Sequence, residues 1–192
     1  MPPLLRTFSY HYHHKYGHQV GKIPLDLGMV CPNRSKGGCI FCRSASFTPG
    51  YLNKNDNISS QILRGKEKLL KNRFSKYFAY FQQETTTALP TDELMEVFQS
   101  VLKDEECVGL ILSTRPDHVE QQLLNELAEL VTSLEKECLF ELGLQSVHSS
   151  SLDFLNRNHK SDPCHFYSLH KEYFPFHPQQ DRLQLLALKL SG

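Results

Sequence analysis

Three of the chain's six cysteines fall inside one short stretch, "CPNRSKGGCIFC": Cys31, seven residues, Cys39, two residues, Cys42. Thiolates gathered this closely are soft ligands for zinc or iron. A structural zinc site closes with a fourth Cys or His, and His11, His13, His14 and His18 stand nearby in the sequence. An iron–sulfur cube held by only three cysteines leaves one iron open to a substrate or cofactor. A redox dithiol at Cys39 and Cys42 is the third reading, and it leaves Cys31 unexplained. Gly37 and Gly38 lower the steric cost of wrapping backbone around a bound group, and Phe41 offers an aromatic surface beside it.

Such a loop needs a scaffold. Four short apolar, β-branched or aromatic runs, "KIPLDLGMV", "KYFAYFQ", "CVGLILS" and "CLFELGLQ", read as strands. Between them, Ile58, Ile62, Leu69 and Leu70, then Leu94, Val97, Phe98, Val101 and Leu102, then Leu123, Leu124, Leu127, Leu130, Val131 and Leu134 recur at helical spacing. Thr91 or Asp92 is the expected cap of the second helix, Pro116-Asp117 the expected start of the third, and "SLDFLNR" a last short one. Strands alternating with helices imply βαβ crossovers and a parallel sheet, so the fold class is α/β. The thiol loop then begins at the carboxyl end of the first strand, where ligands sit in such folds. Cys107 and Cys138 open the third and fourth strands and belong at the opposite edge; Cys164 lies in the tail, where nothing positions it.

Charge excludes little and suggests little. With 21 Lys and Arg against 21 Asp and Glu, no global field argues for nucleic acid or anionic lipid. No run of eighteen apolar residues occurs and the N-terminus lacks an apolar core, which speaks against a membrane span or signal peptide and for a cytoplasmic chain. In that reducing compartment, clustered thiols are metal ligands or catalytic groups rather than disulfides. "HYHHKYGH" reads as a solvated, weakly structured segment, because no spacing sets its histidines on one face. The aromatics of "KYFAYFQ" read as core.

A three-cysteine loop after the first strand of an α/β repeat, with an aromatic directly before the last cysteine, resembles the radical S-adenosylmethionine (SAM) superfamily. "GKIPLDLGMVCPNR", "GGCIFC", "YFAYFQ", "STRPD" and "ELGLQSVHSSSLDFLNRNH" are similar, in that order, to its YhcC-type proteins, relatives of the radical SAM domain of the elongator catalytic subunit. The similarity runs from about Tyr16 to His159. It implies a partial (β/α) barrel of parallel strands with about four βα units over 21–162, an N-terminal extension over 1–20 and a divergent tail over 163–192. It implies that Cys31, Cys39 and Cys42 ligate a [4Fe-4S] cluster whose open iron takes SAM. An external electron donor then drives reductive cleavage of SAM to methionine and a 5′-deoxyadenosyl radical, which abstracts hydrogen from a substrate.

The remaining site residues are expected at the same mouth, where the "ETTT" run of 84–87, "STRPD" and "ELGLQS" end their strands. Phe41 is placed near the adenine, and Gln82, Arg115, Ser146 and Arg157 are candidate cofactor contacts, Arg115 pairing with a carboxylate or else merely capping the next helix. Glu141 and Gln145 are the candidate catalytic pair, expected to share a face of the fourth strand inside the barrel. Arg157 and His159 match an "NRGH"-like motif, with Asn158 in place of its glycine. Two departures stand out: the first cysteine gap is short, and the chain stops before further βα units, including a glycine-rich strand that contacts SAM. The expectation is a truncated member, unstable or inactive as a monomer, with an open sheet edge after the fourth strand. RNA is a candidate substrate through the basic run Arg64, Lys66, Lys68, Lys71, Arg73 and Lys76. The competing reading is a zinc-binding interaction module, or an inactive remnant.

Overall fold

The alternation of strand side chains builds two unlike faces. The structure, a computed structural model, describes residues 7–43, 46, 48–53, 56–71, 73–146 and 148–159, with the backbone of 186–189. In chain order these form α1 (Phe8–Tyr16), β1 (Val20–Leu25), α2 (Ile58–Gly65), β2 (Lys76–Phe81), α3 (Thr91–Leu102), β3 (Cys107–Thr114), α4 (Gln121–Ser133), β4 (Glu137–Leu142), α5 (Ser149–Phe154) and β5 (Leu186–Lys189). The sheet order is β1-β2-β3-β4-β5, with β1 to β4 parallel. The fold is thus α/β, with its parallel strands in the sequential order of a partial (β/α) barrel.

One face carries Ile23, Leu25, Tyr77, Ala79, Phe81, Leu110, Leu112, Phe140 and Leu142, packed with Leu94, Phe98, Leu124 and Leu127 of α3 and α4. The other carries Val20, Phe78, Val108 and Ile111, packed with Tyr12 of α1. A bulge lets both sets be served: Tyr77 pairs with Cys107 but Phe78 with Gly109, so Val108 is an extra residue on β3. Gly109 is required there, since a Cβ would stand 2.2 Å from the Glu137 carbonyl oxygen.

α1 is the first departure from expectation. Rather than a weakly structured segment, 8–16 is a helix capped by Thr7, whose side chain accepts from the Tyr10 N–H. It is anchored by Glu137, a buried carboxylate that accepts from the Tyr16 hydroxyl (2.6 Å) and Tyr12 hydroxyl (3.4 Å) and pairs with Lys15. The aromatic rings of Phe8 and Tyr12 lie against Phe78. Glu137 opens β4, so α1 covers the N-terminal half of this face.

The first strand also stops early, at Leu25 rather than Val30. The Gln61 carboxamide takes the place of a neighbouring strand: Asp26 N–H donates to Gln61 Oε1 (2.8 Å) and Gln61 Nε2 donates to the Asp26 carbonyl (2.9 Å). Asp26 Oδ1 then accepts from Gly28 N–H, and Gly28 turns the chain at φ 73°. α2 and β1 come together through Gly65, where a Cβ would lie 2.3 Å from Ile23 Cγ2. α3 begins after Pro90, so Thr91 and Asp92 occupy its first turn instead of capping it. Pro116–His118 forms a separate 3-10 turn before α4.

The edge beyond β4 is not open. Leu186–Lys189 pair antiparallel with Leu139–Leu142, satisfying backbone groups that would otherwise face solvent. The rest of the expected divergent tail, with Cys164, lies outside the described residues. Among the described residues no helix is long and apolar enough to cross a membrane.

Candidate functional site

The thiol loop is built by short-range turns at the carboxyl edge of the parallel strands. Cys31 precedes a 3-10 turn over Pro32–Lys36, which ends at Gly37 with φ 91°. Gly38, at φ 70°, reverses the chain towards Cys39, and Cys42 N–H donates to the Cys39 carbonyl (3.0 Å). All three thiols are free and partly exposed, whereas Cys107 and Cys138 are buried at the N-terminal ends of β3 and β4. That placement is the one expected from the sequence.

Each sulfur of the loop meets polar donors. Thr85 Oγ1 donates to Cys31 Sγ (3.0 Å). Asn33 Nδ2 (3.2 Å) and Arg157 Nη1 (3.3 Å) donate to Cys39 Sγ. Arg34 Nη2 lies 3.7 Å from Cys42 Sγ. Burial pushes the Cys42 thiol up, the Arg34 guanidinium opposes this, and Glu84, Cys39 and Cys31 add to the rise. The three cysteines therefore share one electrostatic neighbourhood. Among the described residues, no three His, Cys, Asp or Glu side chains converge as the ligands of a single ion must. A cube asks for less convergence, because each of its cysteines holds a different iron. Three thiols with N–H and O–H groups aimed at them are a donor set of the chemical kind that such a group takes.

The loop is clamped onto the segment after α5. Asn33 Nδ2 also donates to the Asn156 carbonyl (2.8 Å), Asn156 Nδ2 donates to the carbonyls of Lys36 (3.1 Å) and Gly38 (2.6 Å), and Asn158 Nδ2 donates to Asn33 Oδ1 (3.0 Å). Asn156 and Asn158 both have φ near +50°. Asparagine adopts this left-handed conformation more readily than most residues.

Arg157 links this segment to the strands. It is buried, donates to the Gly143 carbonyl and to His159 Nε2 (3.2 Å), and its own carbonyl accepts from Arg115 Nη2 (2.8 Å). Arg115, also buried, grips Asp117 with two hydrogen bonds (3.0 and 2.9 Å), while its Nη1 has no partner among the described residues. Burial pushes the Asp117 carboxyl up, but the bonds and charge of Arg115 outweigh it and hold Asp117 below the usual carboxylate range. Burial and the Arg157 guanidinium hold His159 down to about 4, so it is neutral at pH 7.

Glu141 lies towards the C-terminal half of the face on which α1 packs. Its Oε2 accepts from Tyr80 (2.6 Å) and Ser113 (2.8 Å), and Lys22 Nζ stands 3.7 Å from its Oε1. Four consecutive strands thus contribute one polar cluster. Burial and the Glu141 carboxylate both favour the protonated Tyr80 phenol. Gln145 does not share this face by strand alternation: β4 ends at Leu142, and Gln145 sits in the following turn with φ 65°. Ser146 Oγ accepts from His148 N–H before α5. Gln82 is half-buried directly after β2, and Phe41 is exposed on the thiol loop.

Two groups proposed from sequence lie away from the thiols. The candidate fourth ligands His11, His13, His14 and His18 are on or just after α1, which Glu137 anchors at the opposite edge of the sheet. Half of the basic run is engaged within the fold, Lys66 with Asp104 and Glu106 (both 2.6 Å), Arg64 with Asp56 (2.6 Å) and Lys76 with the Glu105 carbonyl (2.7 Å), while Lys68, Lys71 and Arg73 are exposed. Sequence reasoning placed the "ETTT" run with Glu84, and Asn158 in its "NRNH" segment, at this mouth, but gave no role to Asn33, Arg34 or Asn156 and did not foresee which contacts Glu84 and Asn158 make.

The fold and site define an α/β protein with a three-thiol loop at the carboxyl edge of its parallel strands. No family model matches the chain. It is 34% identical over 158 residues to an uncharacterized protein, MJ0486, of Methanocaldococcus jannaschii, covering 81% of this chain and 49% of that one. It is 38% identical over 159 residues to the uncharacterized protein YtqA of Bacillus subtilis (80% and 48%), and 35% identical over 160 residues to protein YhcC of Escherichia coli (81% and 50%). The chain spans about half the length of the curated relatives it matches.

Proposed function

We propose that this chain carries the cofactor-binding part of a radical SAM enzyme acting on a substrate not yet identified. The observation that carries the reading is the gathering of three free thiols at the carboxyl edge of a parallel sheet, each sulfur met by a side-chain donor. Cys31, Cys39 and Cys42 would hold a [4Fe-4S] cluster. When bound, that group supplies one-electron reduction of the SAM sulfonium, and hence hydrogen abstraction from a substrate.

The chain's own residues do the rest. Arg157 and Asn33 orient Cys39, Thr85 orients Cys31, and the Asn156–Asn158 clamp keeps the loop on the sheet. Arg115 presents a buried donor, Nη1, that has no partner among the described residues and is able to meet a carboxylate such as that of SAM. Glu141, fixed by Tyr80 and Ser113, offers a carboxylate of set orientation, and Phe41 an exposed aromatic surface beside the thiols. The reading calls for an external electron donor and a reducing compartment such as the cytoplasm. Intramolecular pairing takes Arg64, Lys66 and Lys76 out of the basic run as contacts for an RNA substrate and leaves the exposed Lys68, Lys71 and Arg73.

The test is anaerobic reconstitution with iron and sulfide, followed by metal analysis and electron paramagnetic resonance of the reduced protein with and without SAM. The expected result is iron with acid-labile sulfide and a reduced-cluster signal that changes on adding SAM. Cys39→Ala should abolish the signal and Cys107→Ala should preserve it. Stoichiometric zinc that resists replacement would refute the reading in favour of a zinc module.

A further inference from the structure

The turn after β2 serves the thiol loop twice. Glu84 sits at φ 55°, a left-handed conformation that few residues other than glycine adopt, and it aims its carboxylate back at the loop. That carboxylate accepts from Arg34 Nε (3.0 and 3.2 Å), Arg34 Nη2 (2.9 Å) and Cys31 N–H (3.2 Å). Held in this way, Arg34 keeps Nη2 at 3.7 Å from Cys42 Sγ, the cationic end of the pair facing the sulfur. The next residue, the fully buried Thr85, sends its hydroxyl to Cys31 Sγ at 3.0 Å.

An electron added to an iron–sulfur group raises the negative charge on its ligand sulfurs, so donors and cations at those sulfurs stabilise the reduced form more than the oxidised form. Resting on the cofactor reading above, we infer that Arg34 and Thr85 are positioning residues that raise the reduction potential of an iron–sulfur group held by Cys31, Cys39 and Cys42, acting through the Cys42 and Cys31 sulfurs. The two belong to different elements and touch different sulfurs, so each is an independent probe. Neither reaches the polar cluster around Glu141.

The test is a spectroscopically monitored redox titration of the reconstituted full chain. Arg34→Gln removes the charge, Arg34→Lys restores it without the planar fork, Thr85→Val removes one hydroxyl at nearly constant shape, and Lys36→Gln removes an exposed charge from the same turn. The midpoint is expected to fall in Arg34→Gln and in Thr85→Val, to recover partly in Arg34→Lys and to stay put in Lys36→Gln. If either Arg34→Gln or Thr85→Val fails to assemble the group, the other decides. Unchanged midpoints, an equal fall in Lys36→Gln, or loss of the group from both variants while the unmutated chain retains it would overturn the inference. An unmutated chain that takes up no iron–sulfur group defeats the cofactor reading itself, and that failure is seen before any variant is made.

Discussion

Replacing Arg157 by methionine should destabilise the fold by about 3 kcal/mol and flatten its response to acid. The methionine can occupy the buried stem, but the Gly143 carbonyl and His159 Nε2 lose their guanidinium donor. An acceptor left buried in this way costs roughly 1–3 kcal/mol. With a urea slope of about 2 kcal/mol/M for a domain of this size, the unfolding midpoint should drop by about 1.5 M. The acid response follows from His159, whose value in the fold is about 4 against an ordinary 6.5. Between those values the unfolded chain binds a proton that the folded chain does not, so stability falls as pH drops from about 6.5 towards 4. Arg157 is the foremost charge holding His159 down, so without it the folded-state value rises and the loss over that window shrinks. Asp117, held low by Arg115, titrates below the window and does not disturb the comparison. Urea melts of both proteins at pH 7 and pH 5 give all four numbers. A midpoint change under about 0.5 M, or the same acid loss in both proteins, would refute the assignment of Arg157 as the link between the thiol loop, β4 and His159.

Three further outcomes follow from the same contacts. Asn158→Ala should cost about 1–2 kcal/mol, because alanine resists the left-handed φ of 52°, and thermal unfolding should register it as a lower midpoint; an unchanged midpoint would contradict the clamp. Gly109→Ala should abolish soluble, cooperatively folding protein, since its Cβ meets backbone of β4 at 2.2 Å, whereas Gly65→Ala, which meets only the Ile23 side chain, should cost about 1–3 kcal/mol; circular dichroism melts rank the two. Glu137→Gln should loosen α1, and native-state proteolysis should then cut within residues 8–16 faster than in the unmutated chain; equal rates would mean that the Phe8 and Tyr12 packing alone holds the helix.

What could be read from the sequence was local. The short apolar and aromatic runs around Tyr77–Phe81 and Cys107–Thr114 and the leucine spacing of 121–133 are set by which side chains must leave water, so they announce strands and helices without knowledge of their partners. The cysteine spacing marked out a thiol loop, and the parallel sheet implied by βαβ alternation put that loop at one edge and Cys107 and Cys138 at the other. Element ends were not legible. β1 stops where a carboxamide thirty-five residues away takes its backbone groups, and β4 stops before Gln145 because that residue turns left-handed.

The composition of the site was decided by the tertiary fold alone. The side chains on the sulfurs come from across the chain: Arg34 depends on Glu84, 50 residues on, and Cys39 is met by Arg157, 118 residues on. The position of Glu84 just after β2 puts it at the mouth, but that its carboxylate grips Arg34 and the Cys31 N–H is decided only when β2 and β1 pair side by side. The edge strand 186–189 and the anchoring of α1 on Glu137 were hidden likewise, because each answers an unpaired strand edge or a buried carboxylate that exists only once the sheet has formed. Types and spacing of residues settle locally which chemistry a chain can attempt, whereas which donors surround that chemistry depends on contacts that close only when distant segments share a sheet.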